Sequence, residues 1–255
     1  MKQGDFTQLA AEYVNRAGYS LTLLNYISAY IGAKKPGFMV ADVGAGTGKL
    51  TENLIALGFR GYAVEPNDAM RSEGLRIVGS DRFTWMAGSG EATTLPDNSV
   101  DWVLMASSFH WTRPEQALPE FHRVLKPNGH LTVLWNPRDL ERSELHQRIE
   151  RRIHEMVPDL KRVSSGSKAY TQGIEGILLE GGLFQDIVHL DAPHSEVMTK
   201  DRYLGAWRSV NDIQAQAGPG LFQDILAMIE NEIDGLDQIA VPYRTRAWTV
   251  RTTKT

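Results

Sequence analysis

The 255-residue sequence contains no cysteine. That excludes disulfides, thiolate metal sites and a cysteine nucleophile. It also has no excess of positive charge. Its 27 Lys and Arg residues stand against 31 Asp and Glu, for a net charge of −4. No long basic tract stands out, so a nucleic-acid partner is not expected. No run approaches the roughly 18 apolar residues of a membrane-spanning helix. The opening "MKQGDFTQLAAEY" lacks the apolar centre of a secretory leader. By default these absences predict a cytoplasmic chain with no membrane partner. The histidines are scattered, and no acidic cluster joins His146 to His154, so no metal site is expected. There is no repeat and no low-complexity linker. What remains is ordinary: 42% hydrophobic and 23% charged residues, enough to bury a core.

Apolar runs alternate with amphipathic ones through the first half. "FMVADV" (38–43), "RGYAVE" (60–65), "RFTWMA" (82–87), "VDWVLMA" (100–106) and "HLTVLW" (130–135) read as strands. Residues 48–58, 67–79 and 113–129 read as helices, with Pro119 warning of a kink or a late start in the third. Strand alternating with helix predicts βαβ units and a mostly parallel sheet covered on both faces. The second half is less regular. Residues 139–162 read as a mixed-charge helix closed by Pro158, and 163–173 as a loop. Residues 184–192 and 243–252 alternate like strands, and helical segments cover 199–215 and 219–235.

"VADVGAGTGKL" (40–50) packs Gly44, Gly46 and Gly48 directly behind the first strand. Glycine loses the most freedom on folding, so three together need a reason. In an open parallel sheet, ligands bind beyond the carboxyl ends of the strands, where the strand order reverses. Bare backbone there lets a ligand approach, and the next helix starts with free N–H groups. An acidic residue at the end of the second strand takes ribose hydroxyls; Glu65, followed by Pro66, stands there. The dinucleotide fingerprint is G-x-G-x-x-G, whereas this chain has G-x-G-x-G preceded by Asp42.

That pattern resembles motif I of the class I S-adenosylmethionine-dependent methyltransferases, in which the loop passes the methionine and ribose parts of the cofactor. "GSGEATTLPDNSVDWVLMASSFHW" (88–111) resembles the third-to-fourth-strand region of the small-molecule members, where a G-D-x-E-x-L-P-like segment approaches the adenine. Ser89 stands where an aspartate often holds the adenine amino group, with Gly90 beside it. Glu91 is expected to cap or order the loop. "FHRVLKPNGHLTV" (121–133) resembles the approach to strand five, and its Leu125, Pro127 and Gly129 are read as a turn. "FTQLAAEYVNRAGYS" (6–20) resembles an N-terminal helix over the cofactor, with Tyr13 and Phe6 as covering candidates beside simple core packing. The subgroup closest in pattern is the ubiquinone-biosynthesis and trans-aconitate-like methyltransferases. The resemblance is good over about residues 5–135 and only in outline over 180–252.

The resemblance implies an α/β, Rossmann-like class I methyltransferase fold. It has a seven-stranded, mostly parallel sheet with an antiparallel last strand, helices on both faces and a helical insertion after strand five. It implies one domain over 1–255, with an N-terminal cover (1–35), a cofactor-binding core (36–136) and substrate-cap segments (137–182 and 193–240). The implied cofactor is S-adenosyl-L-methionine, giving S-adenosyl-L-homocysteine, with no metal. Asp42, Gly44, Gly46, Gly48, Glu65, Pro66, Ser89, Gly90, Ser107 and Tyr13 are the expected cofactor contacts.

A methyl group on a sulfonium is transferred by in-line displacement, and the sulfur leaves neutral. The protein must hold the nucleophile in line and exclude water; a base is needed only where the nucleophile must lose a proton. The fourth strand ends "MASSFHWT" (105–112), without the Asn/Asp-Pro-Pro-Tyr segment of amide and adenine N-methyltransferases and without an acid to begin a magnesium site. His110 is the ionisable group there, either as catalytic base or as an orienting residue. Trp111, Arg138, Trp207 and Arg208 are the expected substrate contacts. The arginines either clamp a carboxylate or phosphate or pair with neighbouring Asp139 and Asp212. The sequence thus predicts methyl transfer to a small-molecule metabolite, at a carboxylate or hydroxyl oxygen. A nicotinamide-dependent oxidoreductase and a non-catalytic cofactor-binding protein stay open. The oligomeric state does not follow from the sequence.

Overall fold

The computed structural model describes residues 7–162 and 171–255. Phe6 and most of the 163–173 loop therefore lie outside the described residues. The chain divides into two compact units. One comprises described residues 18–137, 171–192 and 245–255, and the other 7–17, 138–162 and 193–244.

The first of these units is built on the sheet. β1 (Val40–Val43), β2 (Gly61–Val64), β3 (Phe83–Met86), β4 (Val100–Ala106) and β5 (Leu125–Trp135) pair in parallel. β6 (Phe184–Thr199) and β7 (Gln238–Thr252) complete the sheet order β3-β2-β1-β4-β5-β7-β6. β7 runs antiparallel to β5, from His130 opposite Arg251 to Trp135 opposite Arg246. The seven strands and the reversed last one agree with the expected class I fold. The order reverses between β1 and β4, so their carboxyl ends open the crevice that such sheets offer a ligand.

Alternate strand residues feed two cores, as the period of a strand dictates. Val43, Val103, Met105 and Val133 pack with Leu118 and Phe121 of the helix α5 (Pro114–Val124). Val40, Trp102 and Leu104 pack with Leu24 and Ile27 of α2 (Leu21–Tyr30) and Leu54 of α3 (Lys49–Ala56). α4 (Asp68–Val78) returns the chain to β3, and its Gly74 lies against the Trp85 ring; a Cβ there would stand 2.2 Å from it. The α5 helix continues through Pro119, and it ends at Val124 rather than running to 129. Leu125 already pairs with Val100, and pairing resumes only at His130 with Trp102, so 126–129 bulge out of the ladder. The expected turn at Pro127 and Gly129 is this bulge, inside a strand that begins earlier than the apolar run.

The other unit holds α6 (Glu144–Met156), α8 (Lys200–Arg208) and α9 (Asn211–Glu232); α7 (Ile174–Leu179) belongs to the first. α6, α8 and α9 pack around Ile149, Ile153, Tyr203, Trp207, Ile225 and Ile229. The helix expected over 199–215 breaks at Ser209 and Val210, and α9 is interrupted where Gly218 takes φ 74° and ψ 169°. Both β6 and β7 run beyond the expected spans, since the chain passes from one unit to the other within each. Among the described residues, no helix is long and apolar enough to cross a membrane.

Asp42 ties β1 to α3. It is fully buried, and Thr51 Oγ1 donates to its Oδ2 at 2.6 Å, while Oδ1 has no partner. Burial pushes its carboxyl up to about 7 from 3.8, against the Thr51 bond and with help from the Glu65 charge. Between those pH values the folded chain holds a proton that the unfolded chain has released. Asp42 therefore removes stability as pH rises from 3.8 to about 7. Asp42→Asn abolishes that slope. In urea unfolding, the variant should gain on the order of 3 kcal/mol relative to the parent between about pH 5 and 7.5. A difference that stays constant with pH would overturn this account of Asp42.

Candidate functional site

The loop after β1 is held against β2: Gly44 N and Ala45 N both donate to Val64 O, at 2.8 and 3.1 Å. Gly44, Gly46 and Gly48 all take positive φ, at 71°, 58° and 88°. Their surroundings differ. A Cβ on Gly44 would stand 2.7 Å from both Cβ and Oγ of Ser108, and one on Gly48 would stand 2.6 Å from Val78 Cγ2. These two are bare because the protein itself comes close. A Cβ on Gly46 would meet only Met70 Cε, at 3.4 Å. Gly46 therefore leaves open backbone at the mouth of the crevice.

Glu65, at the end of β2, is 7% exposed. Its Oε2 accepts from Gly46 N and its Oε1 from Asn67 N, both at 2.9 Å. One carboxylate thus fixes the glycine loop and the turn into α4, whose N-cap is Asn67. Burial raises the Glu65 carboxyl, opposed by the two amide bonds and the Arg71 guanidinium. Each oxygen keeps a second lone pair for a further donor. Pro66 beside it is exposed. Thr47 Oγ1, inside the glycine loop, is buried without a partner.

Ser89 and Gly90 sit in a tight turn in which Ser89 N and Ala92 O bond at 3.0 Å. A Cβ on Gly90 would stand 2.7 Å from Thr112 Cγ2, so this glycine is required by packing. Glu91 orders the segment as expected: its Oε1 accepts from Arg113 N, at the start of α5, at 2.9 Å. Against the cost of burial, that bond, its own amide and the Ser89 hydroxyl hold the Glu91 carboxyl low.

At the end of β4, Ser107 takes φ 53°, a strained value for a side-chain-bearing residue. It is held by Ser107 N donating to Leu134 O at 2.8 Å and by Tyr19 Oη donating to its Oγ at 3.1 Å. Ser108 Oγ donates to Val43 O at 3.2 Å, linking the β1 and β4 ends. Tyr19 and Thr47 escaped the sequence reading. Thr47 was legible as the polar side chain inside the glycine motif, but no spacing connects Tyr19 to Ser107.

His110 follows in a short 3-10 turn, Phe109–Trp111. Trp135 Nε1 donates to its Nδ1 at 3.3 Å. An indole N–H only donates, so Nδ1 is the bare nitrogen and the neutral ring carries its proton on Nε2. Burial lowers the His110 pKa to about 4. At neutral pH His110 is an uncharged ring with a donor at Nε2. Trp111 stands beside it, ring centroids 4.8 Å apart, and is 50% exposed.

Tyr13, Arg138, Trp207 and Arg208 belong to the other unit. Arg16 lies over the Tyr13 ring at 4.4 Å. The expected alternative pairings of the arginines do not form. Asp139 pairs with Arg244 and Asp212 with Arg162, each at 3.1 Å. Arg208 is exposed, while Arg138 stacks on Trp207 with its Cζ 3.9 Å from the ring centre. Among the described residues, no group of three or more His, Asp or Glu side chains could hold a metal ion.

A family model described as a methyltransferase domain matches residues 41–133. An uncharacterized methyltransferase of Mycobacterium tuberculosis is 45% identical over 100 residues, 39% of this chain and 40% of that protein. A ubiquinone/menaquinone biosynthesis C-methyltransferase of Rubrivivax gelatinosus is 33% identical over 105 residues, 41% of each chain. The match thus spans about two fifths of the length of these relatives. A solved structure from Anaeromyxobacter dehalogenans, described as a type II methyltransferase, shares the fold at a TM-score of 0.61. It is 21% identical, and the alignment covers 94% of this chain and 97% of that one. The matched segment contains the glycine loop, Glu65, the Ser89 turn and the β4 end, and over that segment the chain is similar to methyltransferase domains.

Proposed function

We propose that the chain transfers the methyl group of S-adenosylmethionine to an oxygen of a small-molecule metabolite, and that this oxygen belongs to a carboxylate. Gly46 carries the reading. Its positive φ and open Cβ direction answer to no close neighbour in the protein, and its amide is fixed by Glu65. Bound there, the cofactor supplies a methyl group on a positive sulfur that leaves neutral. The remaining lone pairs of Glu65 suit ribose hydroxyls, with Pro66 closing the turn behind it. Gly44 and Gly48 keep the loop in shape, beside buried Asp42. The Ser89–Gly90 turn offers backbone groups to the adenine, since the Ser89 hydroxyl acts on Glu91. Ser107, in its strained conformation, supplies a polar edge at the β4 end. Tyr13 and Arg208 lie in the other unit, and the reading does not draw on them.

The state of His110 supports a carboxylate acceptor. A neutral ring with its proton on Nε2 donates to an oxygen and holds it in line; it does not take a proton from one. An ionised carboxylate needs no base. Trp111 walls the pocket, and an aromatic face favours a sulfonium by cation–π attraction. The Rubrivivax relative is named a C-methyltransferase, so the atom methylated is a point for experiment.

Calorimetric titration with S-adenosylmethionine, S-adenosylhomocysteine and NAD tests the cofactor. The two sulfur compounds should bind and NAD should not; NAD binding alone would overturn the reading. Gly46→Val should lose S-adenosylhomocysteine binding while keeping the parent's circular dichroism. Glu65→Ala should weaken binding by about 1–3 kcal/mol. Undiminished affinity would remove Glu65 from the ribose.

His110→Ala should lower turnover at unchanged S-adenosylhomocysteine affinity. The parent's rate should stay level between about pH 6 and 8, because His110 titrates near 4. A rate climbing through that range would restore a base. Methyl label carried from S-adenosylmethionine to a small acid should be released as methanol by alkali, as an ester is; an alkali-stable product would place the methyl on another atom.

A further inference from the structure

Arg138 is a half-buried cation that the Tyr243 hydroxyl meets but no carboxylate pairs. The acids near it are engaged elsewhere: Asp139 by Arg244 at 3.1 Å, and Glu150 by Arg162 Nη1 at 3.0 and 2.9 Å. The Arg138 guanidinium lies flat on Trp207, and its Nε is buried with no hydrogen-bond partner in the protein. Three more polar atoms in the same unit are in that condition: His146 Nε2, Tyr203 Oη and Trp207 Nε1. Their residues are 1%, 0% and 1% exposed. They form one cluster. The His146 ring meets Tyr203 edge-on at 5.7 Å, and Tyr203 meets Trp207 at 6.3 Å. Tyr203 Oη and Trp207 Nε1 are neighbours, but they do not close a hydrogen bond of good geometry.

Every one of these four atoms can donate. The Arg Nε–H and the Trp Nε1–H can do nothing else. With the Ser143 hydroxyl donating to His146 Nδ1 at 2.7 Å, the His146 proton sits on Nε2. A buried charge with no counter-ion costs several kcal/mol, and an unmet buried donor costs about 1–3 kcal/mol. Three donors beside a guanidinium that no carboxylate pairs are the complement of an anion with several acceptor lone pairs. The planar guanidinium matches a carboxylate in two parallel bonds.

We infer that Arg138, Trp207, Tyr203 and His146 form an anion site, within their own unit, that takes a carboxylate group. As an anion site it stands independently of methyl transfer; as the place that selects an acidic substrate it rests on that reading. Benzoate and acetate are the probes, with chloride at matched ionic strength as control. The melting temperature of the intact protein should rise with either carboxylate and not with chloride. No rise beyond chloride overturns the site.

Arg138→Met removes the charge and keeps an unbranched chain over Trp207. Without anion it should melt no lower than the parent, since it sheds a partly desolvated charge that no carboxylate pairs. It should bind benzoate about tenfold more weakly or not at all. A variant that melts lower yet binds benzoate like the parent would make Arg138 a packing residue and overturn the site. Tyr203→Phe, which loses only the hydroxyl, provides a second reading: affinity should fall, and unchanged affinity overturns the role of Tyr203. S-adenosylhomocysteine titrated into the same preparations separates the two readings. Cofactor binding without a carboxylate response overturns only the anion site, and the converse overturns only the methyl-donor assignment.

Discussion

The ligand-facing edge of the sheet depends on one carboxylate. Glu65 receives Gly46 N on one oxygen and Asn67 N on the other. The first amide belongs to the loop after β1 and the second to the turn after β2. Without Glu65, two backbone donors would lose their acceptor together, and the loop would lose its only side-chain tether to β2 among the bonds described. The arrangement asks Glu65 to stay ionised where burial resists it. The two amides and Arg71 offset that cost. The ribose role proposed for this acid would share its two oxygens with this architectural one.

The edge is continued by close approaches. Ser108 reaches Val43 O and crowds Gly44, so the β1 and β4 ends are locked side by side. Trp135 fixes the His110 ring, and Tyr19 fixes Ser107. These contacts set the protonation and direction of the groups that would face a substrate. They also explain why three glycines with one backbone sign have two different causes. Gly44 and Gly48 yield to neighbours in the chain, while Gly46 yields to none at close range.

Much of this was legible in the sequence. Local alternation marks β1 to β5 because each is short, apolar and bounded by turn residues. The spacing of Gly44, Gly46, Gly48 and Glu65 brings them together because one βα turn and the next strand end suffice to do so. The start of β5 was not legible, since Lys126, Pro127 and Asn128 carry no strand pattern and Leu125 pairs only because Val100 stands opposite. The tautomer of His110 was not legible either; it is set by Trp135, far along the chain and on a different strand. For Arg138 the sequence offered Asp139 as a neighbour. Adjacency in sequence gave no pairing, because Asp139 is taken by Arg244 from β7.

The way the chain threads its two units carries a consequence for how it is made. Residues 18–137 form one unbroken piece containing β1 to β5, paired almost wholly between sequence neighbours or near neighbours. The unit that holds Arg138 and Trp207 is assembled from three separated pieces, the last ending at 244. Bringing distant pieces together costs loop entropy before any contact rewards it. During synthesis the glycine loop and Glu65 can find each other while the partners of Arg138 are still to be made, so the nascent chain can complete this edge of the sheet before the surroundings of its arginine exist.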